Sequence, residues 1–131
     1  DDRRRHQVFR RRPLAAQAGV PQPFGSDWPV FPMEVRLGLY AAVTRTTPEG
    51  VPPAGWEPQL TVSAEAALRH FTVDGAYASF EEDIKGSLAP GKLADFVVLD
   101  RDILRVPDAD LASAQVLHTV LAGRVVYSRA P

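Results

Sequence analysis

KGSLAPGKLADFVVLDRD, residues 85–102, divides the chain into two regimes. Gly86, Pro90 and Gly91 punctuate its first half with turn residues, and Phe96, Val97, Val98 and Leu99 then form an apolar run of strand length. Downstream lie two more apolar runs, QVLHTVL and RVVYS, separated only by Ala122-Gly123, which is close to the spacing of a tight β-hairpin. Upstream the pattern is helical. MEVRLGLYAAVTR sets Val35, Leu39, Ala42 and Val43 near one face and predicts a helix from about Met33 to Arg45, opened by Pro32. Ser63 is the expected N-cap of a second helix, Ala64 to Phe71, with Glu65 placed where a carboxylate favours the helix dipole. Asp74-Gly75 is expected to interrupt that helix, leaving a shorter helical piece in AYASF. Between the two helices TPEGVPPAGWEP is a proline-rich loop. Helices first and strands last suggest two structural units, divided near Gly86.

The beginning of the chain is different in character. DDRRRHQVFRRRP packs six arginines around His6 with little apolar periodicity, so residues 1–12 are expected to be a disordered, solvated leader. PLAAQA, Pro13 to Ala18, is helix-compatible and Gly19 is a natural stop. Val20 to Phe24 then reads as a strand weakened by Pro21 and Pro23, neither of which can donate a ladder hydrogen bond. It runs into FGSDWPV, residues 24–30, where Asp27 stands between Gly-Ser and Trp-Pro. By residue chemistry alone this aspartate is a turn or cap carboxylate or a functional one.

Composition removes several classes of function. The 131 residues carry 15 Lys and Arg against 16 Asp and Glu, so no global attraction to nucleic acid or to an anionic membrane follows. An arginine-driven nucleic-acid contact through the leader ranks last, since Phe9 is its one stacking aromatic. No apolar run reaches the roughly 20 residues of a membrane helix, and a cytoplasmic location is the simplest reading. With no cysteine, metal ligands can come only from His, Asp and Glu, and the three histidines, His6, His70 and His118, are isolated. His70 in its helix and His118 in its strand read as structural.

The motif Gly86, Ser87, Pro90, Gly91, Lys92, Ala94 and Asp95, followed by a Val/Leu strand, resembles the C-terminal signature of the amidohydrolase superfamily, metal-dependent hydrolases built on a (β/α)8 barrel. With FGSDWPV in front and LAGRVVY behind, the resemblance runs from about Pro13 to Tyr127. It is closest to the branch of N-substituted formamide deformylase, in which a G-S-D-W-P-V loop follows the last barrel strand. The resemblance implies an α/β fold, in which residues 13–85 are the C-terminal part of a barrel, its final strand-helix portion, and 86–131 the C-terminal part of a small β-sandwich domain. It implies that Asp27 is catalytic, touching a divalent metal or its water and shuttling a proton, and that Trp28 lies beside a small amide-like substrate. Lys92 and Asp95 match family positions but read as turn and strand-start residues. The implied metal, with zinc the first choice, belongs to the full-length parent; with Asp27 as one ligand, none is expected to bind this chain tightly, and the chain alone is expected to be inactive. A homo-oligomer is open. The alternative is a noncatalytic α+β remnant used for interaction or oligomerisation. Apolar surface is expected around Phe96 to Leu99 and Val116 to Leu121.

Overall fold

The computed structural model describes residues 19–130, so the expected leader and the helix at Pro13 to Ala18 lie outside the described residues. Within that span the order is helix α1 (Val35–Thr44), a 3-10 turn (Pro58–Leu60), helix α2 (Ala64–Phe71), helix α3 (Val73–Ala78), strand β1 (Phe96–Leu99), a 3-10 helix (Asp108–Ser113), and strands β2 (Val116–Leu121) and β3 (Arg124–Ser128). Among the described residues no helix is long and apolar enough to cross a membrane.

Helix α1 is shorter at its start than the sequence predicts, beginning after Glu34, whose backbone is extended. It ends at Arg45, in a left-handed conformation that returns its N–H to the Ala41 carbonyl. Leu39, Tyr40, Ala42 and Val43 are its buried face, whereas Val35 is half exposed. These four meet Ala67 of α2 and Leu111 of the second 3-10 helix to make the core, with Leu68, Phe71, Ile103 and Val106 packed around it. Gly38 marks where α1 comes closest to the end of α2, because a Cβ there would stand 2.5 Å from the Phe71 ring.

Helix α2 starts as its sequence dictates: the Ser63 hydroxyl accepts from the Ala66 N–H at 3.1 Å. The interruption falls at Thr72 rather than at Asp74-Gly75. Thr72 leaves helical geometry, its hydroxyl donates to the Leu68 carbonyl at 2.7 Å, and α3 begins at once with Asp74 in its first turn. Asp74 breaks nothing because its carboxylate is engaged elsewhere, as set out below. At the far end of α3, Phe80 takes the left-handed position (φ 58), its N–H reaching the Tyr77 carbonyl while the Glu81 N–H reaches Ala76. That is the Schellman pattern, with phenylalanine in the place that favours glycine.

The stretch from Gly86 to Asp95 ties the helical half to the sheet. Gly86 (φ +87) lies against α3, so near that a Cβ would come within 2.7 Å of the Ala76 Cβ. The Lys92 ammonium donates to the carbonyls of Glu82 and Lys85. Asp95 accepts from the Ala122 N–H at 2.7 Å, and the Gly123 N–H donates to the Ala94 carbonyl at 3.0 Å, so the start of β1 grips the turn of the hairpin. The three strands form an antiparallel sheet in the order β1-β2-β3, with Phe96 opposite Val120 and Leu121 opposite Arg124. Ala122 and Gly123 both have positive φ, as the two-residue type I′ turn requires.

The expected apolar exposure is found in part. Phe96, Val97 and Val98 are open to solvent, but in β2 only Leu121 among the apolar residues is exposed, while Val120 is buried beneath the sheet. The more exposed strand is β3, open on both of its faces, with Val125, Val126 and Tyr127 all exposed.

Candidate active site

Val20 to Phe24 is not a strand; among the described residues it pairs with none. The two prolines explain this. They leave Gln22 and Phe24 as the backbone donors between positions 21 and 24, and both donate to the helix pair instead. The Gln22 N–H goes to Asp74 Oδ2 at 3.1 Å and the Phe24 N–H to the His70 carbonyl at 3.0 Å. The Phe24 ring rests on His70 at 4.6 Å between centroids and meets Phe71 edge-on at 5.5 Å.

This anchored segment delivers the chain to Asp27. Asp27 sits in the left-handed region (φ 53) and opens a turn in which its carbonyl accepts from the Val30 N–H at 2.8 Å. Aspartate tolerates this conformation better than most residues, so the turn chemistry read from the sequence is realised. The Trp28-Pro29 bond is cis. Asp27 and Trp28 are both exposed, and so are Val30, Phe31 and Met33 beyond them, giving one carboxylate on an apolar rim. The placement differs from the expected strand end: Asp27 follows a segment held by helix groups.

The helix pair that holds Gln22 and Phe24 carries a polar cluster that sequence reasoning missed. Asp74 is 2% exposed and uses both oxygens: Oδ2 accepts from His70 Nδ1 at 2.6 Å as well as from Gln22, and Oδ1 pairs with Arg69 Nε at 3.2 Å. Burial pushes the Asp74 carboxyl up, but the hydrogen bonds from His70 and Gln22, with the charges of His70 and Arg69, outweigh it and hold it below the usual carboxylate value. An ionised carboxylate only accepts, so His70 carries a proton on Nδ1. The signal available in the sequence was the four-residue spacing of His70 and Asp74; the expected helix break at Asp74 concealed it. His118 instead bonds Ser128 Oγ at 3.0 Å on the exposed sheet.

Among the described residues no three His, Asp or Glu side chains gather where they could hold a metal ion. A catalytic zinc site ordinarily takes three protein ligands, so Asp27 by itself does not fit one. Lys92 and Asp95 end on backbone groups and serve the architecture.

A profile of the amidohydrolase family matches residues 1–127. N-substituted formamide deformylase of Arthrobacter pascens is 37% identical over 112 residues, which are 86% of this chain and 20% of that protein. Protein LONG AFTER FAR-RED 3 of Arabidopsis thaliana is 38% identical over 103 residues, 79% of this chain and 17% of the plant protein. Among solved structures, an amidohydrolase from Thermotoga maritima MSB8 superposes with a TM-score of 0.62 at 25% identity, covering 87% of this chain and 24% of that one. The chain thus spans about a fifth of the length of the curated relatives it matches. The match takes in the Asp27 turn, the helix pair, the Gly86 to Asp95 junction and the hairpin alike, and the chain belongs to the amidohydrolase family.

Proposed function

We propose that this chain is the C-terminal part of a metal-dependent hydrolase that cleaves a non-peptide carbon–nitrogen bond, of amide or N-formyl type, with Asp27 as its proton carrier. The observation that carries the reading is the Asp27 carboxylate itself, presented to solvent on a left-handed turn whose approach is fastened to two helices. Likeness to a formamide deformylase over most of the chain supports the substrate class. On this reading residues 13–85 close a (β/α)8 barrel and 86–131 supply strands to a β-sandwich, so the open faces of β1 and β3 are surfaces for the rest of the enzyme.

The chemistry asked of Asp27 is a proton transfer in two directions. As the water oxygen bonds to the carbonyl carbon, the carboxylate takes the water proton; as the carbon–nitrogen bond breaks, it returns that proton to the departing nitrogen. The products are a carboxylic acid and an amine. Trp28 lies beside the substrate in this arrangement, forming an apolar wall next to the carboxylate. A divalent metal, zinc first, belongs to the whole enzyme; Asp27 would offer it one oxygen, and the described residues do not complete its shell.

Asp27→Asn tests the reading, because the amide keeps the turn but neither takes nor returns the proton. In the full-length enzyme it should abolish hydrolysis of an N-alkylformamide with the fold unchanged by circular dichroism. Near-normal turnover by that variant would refute the assignment.

A further inference from the structure

We propose that the His70–Asp74 pair is a positioning device for the Asp27 turn, a role that rests on the catalytic reading of Asp27. The contacts form one connected path. Asp74 Oδ2 receives the Gln22 N–H and His70 Nδ1 together, and Arg69 fixes the other oxygen, so the carboxylate holds the segment and the imidazole in a single geometry. His70 in turn holds Phe24 twice, through its carbonyl to the Phe24 N–H and through its ring against the Phe24 ring. Phe24 precedes Asp27 by three positions, with Gly25 and Ser26 between them.

Two features separate this from ordinary packing. The polar partners converge on backbone N–H groups of the approach to the turn, and Asp74 is the one buried charged residue among the described residues. A charged group is costly to bury, and packing alone would be served as well by an apolar residue. What the carboxylate adds is direction: it fixes the imidazole rotamer and the Gln22 backbone at the same time. Pro21 and Pro23 complement it, since they restrict the segment without competing for the acceptor.

Amide hydrogen exchange on the chain, with kinetics on the full-length enzyme, tests this. In Asp74→Ala the Gln22 and Phe24 amides should exchange at least about tenfold faster, as loss of a charge-assisted hydrogen bond implies, while amides of β2 and β3 keep their rates. In the enzyme the same variant should lower kcat for the N-alkylformamide with KM within about twofold of wild type, the signature of lost transition-state geometry. If Asp74→Ala unfolds the chain, Asp74→Asn and His70→Phe replace it; the latter keeps a ring against Phe24 but deletes the Nδ1 donor, and it should accelerate exchange at Gln22 and Phe24. Unchanged exchange at these amides overturns the proposal, and so does faster exchange with unchanged kcat. Asp27→Asn separates the two readings: it should leave exchange at Gln22 and Phe24 untouched, so retained turnover there refutes the catalytic role of Asp27 and not the clamp geometry.

Discussion

Replacing Gly86 by alanine tests the junction between α3 and the sheet more sharply than any other single change. At φ +87 an L-residue is strained by about 1–2 kcal/mol, and the reduced entropy of the unfolded chain returns roughly half of that, leaving about 1 kcal/mol. The larger part is steric. The new methyl would stand 2.7 Å from the Ala76 Cβ, 3.2 Å from the Val73 Cα and 3.3 Å from the Thr72 carbonyl oxygen. None of these is the far end of a flexible side chain, and Ala76 is itself buried, so the first turn of α3 must move. Overpacking of this kind costs about 1–3 kcal/mol, for a total of about 2–4 kcal/mol. Gly91 supplies the control: its φ is +90, yet a Cβ there meets nothing within 4 Å, so Gly91→Ala should cost only the strain, about 1 kcal/mol. Urea unfolding followed by circular dichroism measures both, with the slope of the transition checked for constancy. Equal costs for the two alanines would refute the close approach of Gly86 to Ala76. A further check is the double variant with Ala76→Gly, whose cost should be less than the sum of the two single costs because the closest of the three contacts is gone.

Other substitutions and conditions carry equally definite expectations. Phe80→Gly should raise stability by up to about 1 kcal/mol in the same assay, because it removes left-handed strain from a side chain that is 92% exposed. Asp100 is held down to about 2 by the Arg101 guanidinium, with help from the Gln115 N–H. Its folded value lies below the ordinary 3.8, so its stabilisation is complete above that pH and drains away as pH falls toward about 2. Asp100→Asn should therefore flatten the acid limb of the stability profile in that window. The sign for Asp74 is the same, its carboxyl also being held below 3.8 when folded, so acid should release the Gln22 amide before β2 and β3 open, as seen by exchange. The open apolar faces of β1 and β3 should bind a hydrophobic dye, and Val125→Thr with Val97→Thr should weaken that signal; a chain that binds no dye and elutes as a compact monomer would contradict the exposure described.

Local chemistry made much of this fold readable. Ser63 capped its helix, the Val/Leu runs became strands, and Ala122-Gly123 turned the hairpin, each because the deciding contact lies within a few residues. Long-range contacts were not readable in the same way. Asp74-Gly75 looked like a helix break because its local turn propensity is high, yet the carboxylate is claimed by Gln22, 52 positions away, and the break moved to Thr72. Val20 to Phe24 looked extended by composition, but strand identity depends on a neighbour, and its donors found helix groups instead. Leu111, at the centre of the core, lies in a stretch with no periodicity to announce it. At the candidate site Asp27 was legible as a motif, whereas the cluster that supports it was not, since its members come from two segments joined only by folding.

Lys92 and Asp95 share a habit with a further consequence: each ends on main-chain atoms, the carbonyls of Glu82 and Lys85 in one case and the Ala122 amide in the other. Every residue type except proline offers the same amide, and all offer the same carbonyl. Exchanging the side chains at 82 and 85, or at 122 among residues that accept its positive φ, would thus leave both grips with something to hold. A joint built this way is indifferent to much of its own lining, and the lysine and aspartate can stay fixed while the surroundings are rewritten.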